Sequence, residues 1–296
     1  MKVLVTGFSG FLGSAIVKSL VAHGNDVFTI GRSHEANIVW DFFLNEPSLP
    51  NSDMVVHCAG LAHLSTKVGK YDKFIEVNFE ATVNLCNALV KTEKLPSSFV
   101  FISSVAVYGI DMGDKISEST EPNPNTPYGK SKLKTEQFLL EWAKTYNVHL
   151  LILRLPLIVG ANPPGNLGAM IKAIKGGYYF RMGKGLAKRS MVLASDVSDF
   201  ISVSANKKGI INLTDGVHPS FFEIENFIAS FYKRRIFSLP IFVLNLLGKI
   251  GDLIPFFPLN TYRVSKLSKN LTFSDDLARE GFGWKPRAVI GNFNPE

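Results

Sequence analysis

Three side-chain types spaced along residues 103–132 suit proton transfer. The serine pair Ser103-Ser104 ends an apolar run, a polar turn follows, and Tyr128-Gly129-Lys130-Ser131-Lys132 opens a helical pattern. A tyrosine and a lysine four residues apart share one helix face. An ammonium beside a phenol stabilises the phenolate and lowers its pKa from the usual value of about 10. Such a phenol can exchange a proton with an alcohol or ketone oxygen while a hydride moves. Tyr128 is therefore the candidate general acid/base, Lys132 the residue that tunes it, and a serine hydroxyl the group that orients the reacting oxygen. Successive strand residues point to opposite faces, so Ser103 and Ser104 compete for that last role.

Hydride transfer needs a carrier, and the first residues read as a cradle for one. Met1-Lys2-Val3-Leu4-Val5 is a short apolar strand pattern that runs into Thr6-Gly7-Phe8-Ser9-Gly10-Phe11-Leu12-Gly13. Apolar residues then recur at helical spacing through Ile16, Val17, Leu20 and Val21 up to Gly24. Strand, glycine turn and helix together suit a dinucleotide pyrophosphate. Gly7 permits the tight turn, Gly10 a close backbone approach, and Gly13 close packing of helix on strand. The helix N-terminus, at Phe11 and Leu12, presents unpaired N–H groups and a positive dipole end to an anion. The spacing is Gly-x-x-Gly-x-x-Gly, which departs from the common Gly-x-Gly-x-x-Gly fingerprint.

The remaining pattern supplies elements to position these groups. Strand signals fall at 2–6, 27–30, 38–40, 54–57, 99–102, 150–153 and 210–213, with helical patterns at 11–23, 74–90, 129–145 and 196–205. This alternation predicts an α/β fold with a doubly wound parallel sheet. Sites in such sheets lie beyond the carboxyl ends of the strands. Gly7, Arg32, Gly60, Ser104 and Pro156 all fall there. Residues 1–165 are expected to form the dinucleotide-binding domain, with a return segment at 190–215. Residues 166–189 and 216–296 are expected to build a smaller substrate-binding lobe.

Composition narrows the class. The chain has 296 residues, 46% of them hydrophobic and 19% charged, with a net charge of +7. No nucleic-acid motif accompanies that charge, which points instead to an anionic small substrate. Cys58 and Cys86 lie apart within apolar segments and read as reduced core residues, with no metal-ligand spacing. The apolar stretch 236–259 is broken by Pro240, Lys249, Asp252, Pro255 and Pro258, so no transmembrane segment is expected. The chain opens on a strand pattern and not a signal peptide, consistent with a cytoplasmic location.

Taken in order, these segments resemble the extended short-chain dehydrogenase/reductase family, in its nucleotide-sugar epimerase/dehydratase branch. The resemblance rests on Thr6-Gly7-x-x-Gly10-x-x-Gly13, His57-Cys58-Ala59-Gly60, Val77-Asn78-x-x-Ala81-Thr82, and the Ser104, Tyr128 and Lys132 trio. It continues through Leu153-Arg154-Leu155-Pro156, Val159-Gly160, Leu271-Thr272-Phe273-Ser274 and Gly283-Trp284-Lys285-Pro286. The family pattern Ser-x-x-x-Tyr-Gly favours Ser104 over Ser103. The resemblance further implies that Lys132 binds the nicotinamide ribose, that Asp41 and Phe42 contact adenine, and that Ala59, Gly60, Asn78 and Pro156 line the cofactor. Asn166 and Arg189 match positions that hold a nucleotide diphosphate. Asn78 reads equally as an exposed helix residue. His63 and Arg263 receive no role. A homodimer is the family expectation.

The implied reaction is NAD(P)-dependent oxidoreduction at C4 of a nucleotide-linked hexose, with a nucleotide-diphosphate sugar as substrate. Val105 and Ala106 replace the Asp-Glu pair of the family's 4,6-dehydratases and cannot carry protons. Two reactions remain: reduction of a 4-keto sugar, and 4-epimerisation with held NAD. A non-catalytic cofactor sensor is a third reading, against which the intact trio argues. The second strand runs into Gly31-Arg32-Ser33 with no acid at its tip. An acid there would accept the ribose hydroxyls of NAD, whereas Arg32 and Ser33 suit a 2′-phosphate. NADP is therefore expected in preference to NAD, and reduction in preference to epimerisation.

Overall fold

The computed structural model describes residues 1–44, 46–62, 70–253 and 261–296. The chain opens with β1 (Lys2–Thr6), α1 (Phe11–Ala22), β2 (Asp26–Gly31), β3 (Ile38–Val39) and β4 (Met54–His57). Next come α2 (Lys70–Phe74), a π-helical turn at Ile75–Glu80, α3 (Ala81–Val90), β5 (Ser98–Ser104) and a 3₁₀ turn at Val105–Tyr108. β6 (Gly113–Ile116), α4 (Pro127–Tyr146), β7 (His149–Leu155), β8 (Leu157–Val159), α5 (Gly165–Gly176) and β9 (Phe180–Met182) follow. The chain continues with β10 (Met191–Leu193), α6 (Ala194–Ser202), β11 (Gly209–Asn212), α7 (Phe221–Phe231) and β12 (Phe237–Leu239). It closes with α8 (Ile241–Leu253), α9 (Thr261–Ser268), β13 (Leu271–Phe273) and α10 (Asp276–Phe282).

Seven strands form a wholly parallel sheet in the order β11-β7-β5-β4-β1-β2-β3. Strand alternation divides the core between its two faces. Val3, Val5, Val100 and Ile102 pack with α1 and α6 on one face. Leu4, Val55, Phe99 and Phe101 pack with α3 and α4 on the other. Strand order reverses between β1 and β4, the switch point where such sheets take their ligands.

The C-terminal segment does not stay with a separate lobe. β13 pairs with β6, and Ala278 and Trp284 enter the core beside Phe200 and Leu213. The Trp284 indole donates to the Thr214 carbonyl at 2.9 Å. Burial of Trp284 removes its apolar surface from water and fastens this segment against the main core. A second core around Leu167, Ile171, Ile224 and Ile228 joins α5, α7 and β10. No described helix is long and apolar enough to cross a membrane.

Candidate active site

The glycine turn is built as a backbone-only cradle. Gly7 has φ +72°, and a Cβ there would lie 2.5 Å from the Ala59 nitrogen. A Cβ on Gly13 would lie 2.0 Å from the Gly7 carbonyl oxygen, so the helix can seat on the turn only without a side chain. Gly10 caps α1 with no side-chain hydrogen bond, and the first helical turn carries no acid. The N–H groups of Phe11, Leu12 and Gly13 therefore have no intrahelical acceptor, and the positive end of the helix is left to an anion. These features fit the pyrophosphate of a nicotinamide dinucleotide.

Behind the cradle lies a directed hydrogen-bond chain. The Ala59 N–H donates to Thr6 Oγ1 at 3.1 Å, and Thr6 Oγ1 lies 2.7 Å from His57 Nδ1. His57 Nε2 meets Thr82 Oγ1 at 2.8 Å, whose own proton goes to the Asn78 carbonyl at 2.7 Å. Thr82 has already spent its proton, so His57 must donate from Nε2 and accept at Nδ1. Burial and the Lys132 charge pull the His57 pKa down to about 3, which keeps the ring neutral. Sequence reasoning assigned Thr6, His57 and Thr82 only a place in motifs. Their role is to tie the end of β1 to the end of β4.

Asn78 is buried, contrary to the exposed-helix reading. It lies in the π-helical turn. Its Oδ1 accepts from the Leu61 N–H at 2.6 Å, and its amide donates to the Leu61 carbonyl at 3.0 Å and to Ser131 Oγ at 2.9 Å. The side chain thus grips the loop after β4 and fastens it to α4. The extra residue of the π turn also turns the Asn78 carbonyl toward Thr82 and Thr135.

α4 delivers the tyrosine and lysine. Thr126 caps it by accepting from the Gly129 N–H at 3.1 Å, and Pro127 sets its first turn. A Cβ on Gly129 would lie 2.5 Å from the Ala106 carbonyl oxygen. Glycine therefore lets α4 close on the turn after β5 and bring Tyr128 to Ser104. Ser104 Oγ accepts from the Ala106 N–H at 3.2 Å and lies beside the Tyr128 phenol. Ser103 points the other way, donating to Glu136 Oε1 at 2.5 Å. The alternation of β5 thus assigns Ser104 to the site and Ser103 to the interior.

Burial dominates the protonation of the tyrosine and lysine. Burial pushes the Tyr128 pKa up to about 12, with the neighbouring Ser104 hydroxyl pulling weakly the other way. Lys132 is held by its own partners. Its ammonium donates to the Ile102 carbonyl at 2.9 Å and sits 4.7 Å from the Phe101 ring centroid, while burial draws its own pKa down to about 8. Cys58 lies close to both residues, its thiol raised by burial to about 11.

A buried ion pair holds α4 to the sheet from below. Glu136, one turn beyond Lys132, accepts from Arg154 Nε at 3.2 Å and from its terminal nitrogen at 2.7 Å. The Arg154 guanidinium lies 4.8 Å from the centroid of the Tyr108 ring, and Tyr108 donates to Asn212 Oδ1 at 2.9 Å. Sequence reading passed over Glu136. The signal available was an acid on the same helix stripe as Lys132 and Leu139, where no exposed residue belongs.

Other candidates are placed less simply. Arg32 is exposed just after β2, while Ser33 Oγ accepts from the Glu35 N–H at 3.2 Å. Asp41 Oδ1 accepts from the Phe43 and Leu44 N–H groups, both at 2.9 Å, which holds its pKa below the usual value. Phe42 has φ +72° and its side chain is buried in the core, its ring centroid 4.8 Å from that of Trp40. Gly60 and Pro156 follow the ends of β4 and β7. Asn166 is exposed in the first turn of α5. Arg189 donates to the Lys188 and Lys269 carbonyls at 2.8 and 2.6 Å and lies over the Phe221 ring. His63 and the Arg263 side chain lie outside the described residues.

Comparison with known proteins agrees with this architecture. Residues 3–213 match the sequence model of the NAD dependent epimerase/dehydratase family. A sterol-4-alpha-carboxylate 3-dehydrogenase (decarboxylating) from Dictyostelium discoideum is 29% identical, over 96% of this chain and 95% of its own. A UDP-glucose 4-epimerase from Vibrio cholerae is 27% identical over 98% and 92%. A GDP-6-deoxy-D-mannose reductase from Pseudomonas aeruginosa is 31% identical over 68% and 66%. Among solved structures, MoeE5 in complex with UDP-glucose and NAD superposes with a TM-score of 0.76 at 23% identity, covering 98% of this chain and 95% of that one. RMD from Pseudomonas aeruginosa complexed with NADPH gives 0.73 at 22% identity, covering 98% and 94%. With the family match spanning well over half the sequence and the parallel sheet in place, the chain belongs to the NAD dependent epimerase/dehydratase family.

Proposed function

We propose that this protein is an NADPH-dependent reductase of a 4-keto nucleotide-diphosphate sugar. The observation that carries the reading is the tip of β2, where Arg32 is exposed and no acid stands between Gly31 and His34. A guanidinium there pairs with a 2′-phosphate, whereas an acid would repel it. The relatives named above include a GDP-sugar reductase, and one structural neighbour holds NADPH.

A nicotinamide dinucleotide, its pyrophosphate seated on the glycine turn, would supply the hydride. Tyr128 supplies the proton. Its phenol, held neutral by burial, is poised to donate to a ketone oxygen, and the adjacent Ser104 hydroxyl orients that oxygen. Donation is the direction a reduction needs. Lys132 holds the nicotinamide ribose, and Asn166 and Arg189 hold the diphosphate. Val105 and Ala106 offer no group to remove a C5 proton or protonate a C6 hydroxyl. The reduction therefore ends at the alcohol with no loss of water.

A second reading, a UDP-hexose 4-epimerase that recycles held NAD, is supported by the Vibrio cholerae relative, matched over almost its whole length. Affinities for NADPH and NADH separate the two. We expect wild type to bind NADPH at least about tenfold more tightly, and Arg32→Ala to erase the preference through loss of a charge-assisted contact. Equal affinities in wild type, or protein that purifies with NAD bound, would favour the epimerase.

A further inference from the structure

The net charge of the chain is concentrated in two stretches. Residues 165–195 carry six lysines and arginines, residues 226–251 carry four, and neither stretch contains an acid. Of 32 basic residues in the chain, 22 remain elsewhere against 25 acidic ones. Arg181 of β9 is buried against Glu225 and Lys175 pairs with Glu296, and Asp252 closes α8; the cations left unpaired by these acids include Lys184, Lys233, Arg235 and Lys249.

The same segments turn large apolar side chains outward. Phe180 and Phe237 are register partners across the β9–β12 pair and are 50% and 68% exposed. Met182, Leu186 and Ile241 line one shallow cavity beside them, and Leu186 is 66% exposed. α8 leaves from Ile241 and carries Phe242, Leu246 and Ile250 four residues apart, on one face, with the first two 70% and 60% exposed. At 150–250 Å² per aromatic side chain, the three phenylalanines alone expose about 400 Å². That already reaches the size of the largest apolar patch on an ordinary monomer.

We infer that this face docks on an anionic lipid bilayer surface. Aromatic and aliphatic side chains enter the headgroup boundary while the lysines and arginines beside them meet acidic headgroups. Lys184 stands in the β9 turn, Lys233 and Arg235 lead into β12, and Lys249 follows Leu246 by three residues on α8; all four are exposed. At 13 residues α8 spans about 20 Å, too short to cross a hydrocarbon core of about 30 Å, so it would lie along the surface. A nucleic acid would use the cations but leave the phenylalanines in water. A second copy meeting this face across a two-fold axis would set like charges against each other. A bilayer uses both features.

Vesicle flotation of the full chain tests this, using pure phosphatidylcholine and phosphatidylcholine containing phosphatidylglycerol. Wild type is expected to bind the anionic vesicles at least about tenfold more tightly than the neutral ones, and to lose that binding in high salt. Phe242→Ser/Leu246→Ser and Lys233→Glu/Arg235→Glu should each weaken it at least about tenfold with an unchanged thermal midpoint. No binding to either vesicle, or equal binding to both, would overturn the inference. So would a concentration-dependent dimer that Phe242→Ser/Leu246→Ser dissociates, since the face would then be covered by a second copy.

Discussion

The interior beneath the candidate trio of Ser104, Tyr128 and Lys132 and the outer face of the C-terminal lobe treat polarity in opposite ways. Under the trio, His57, Asn78, Glu136 and Arg154 are all buried, and each is hydrogen-bonded by a named partner in a fixed direction. On the lobe, Phe237, Phe242 and Leu246 stand exposed beside cations. Buried polar groups are tolerable only when paired, so their network allows essentially one arrangement of Ser104, Tyr128 and Lys132. Exposed apolar groups impose no such arrangement. Precision is concentrated where the chemistry is placed, and adhesion where the surface is left unsatisfied.

Substitutions can break this contrast. Tyr128→Phe should lower kcat by about 10²–10⁴-fold through loss of the proton donor, with cofactor affinity little changed; steady-state turnover and cofactor titration check both halves. Arg154→Met should cost about 3–5 kcal/mol in denaturant unfolding, because it strands Glu136 as a buried unpaired charge. Leu246→Ser, on the exposed face, should stay within about 0.5 kcal/mol in the same assay.

Acid sharpens the contrast further. His57 has a folded pKa of about 3 against 6.5 for the free side chain. The unfolded chain therefore takes up the proton first, and folded stability falls as pH drops from 6.5 toward 3, by about 1.4 kcal/mol per unit from this group. His57→Gln removes that titration. The stability difference between wild type and His57→Gln should shift against wild type as pH falls through this window, read from unfolding curves at several pH values.

Most of the sheet was legible because period-two and helical apolar patterns are local properties of the chain. Lys2–Thr6 and Met54–His57 form strands as read, and the helix holding Tyr128 begins two residues early because Thr126 and Pro127 cap it. What escaped depends on distant partners. The apolar spacing of 74–90 reads as one helix, yet a π turn interrupts it where Asn78 must grip Leu61. The Lys132 ammonium donates to the Ile102 carbonyl, an acceptor that only the folded sheet provides. The positive φ of Phe42, which carries its side chain into the core, was not legible either. The return of Ala278 and Trp284 to the main core was equally invisible, since nothing local separates a lobe helix from one that packs on the sheet.

The most direct measurement is NADPH oxidation, followed by absorbance, when the purified protein meets a 4-keto nucleotide-diphosphate sugar. The account predicts one NADPH consumed per sugar reduced, with the product an alcohol at C4 and with Tyr128→Phe nearly inactive. Interconversion of UDP-hexose 4-epimers with no net consumption of NADPH would contradict it.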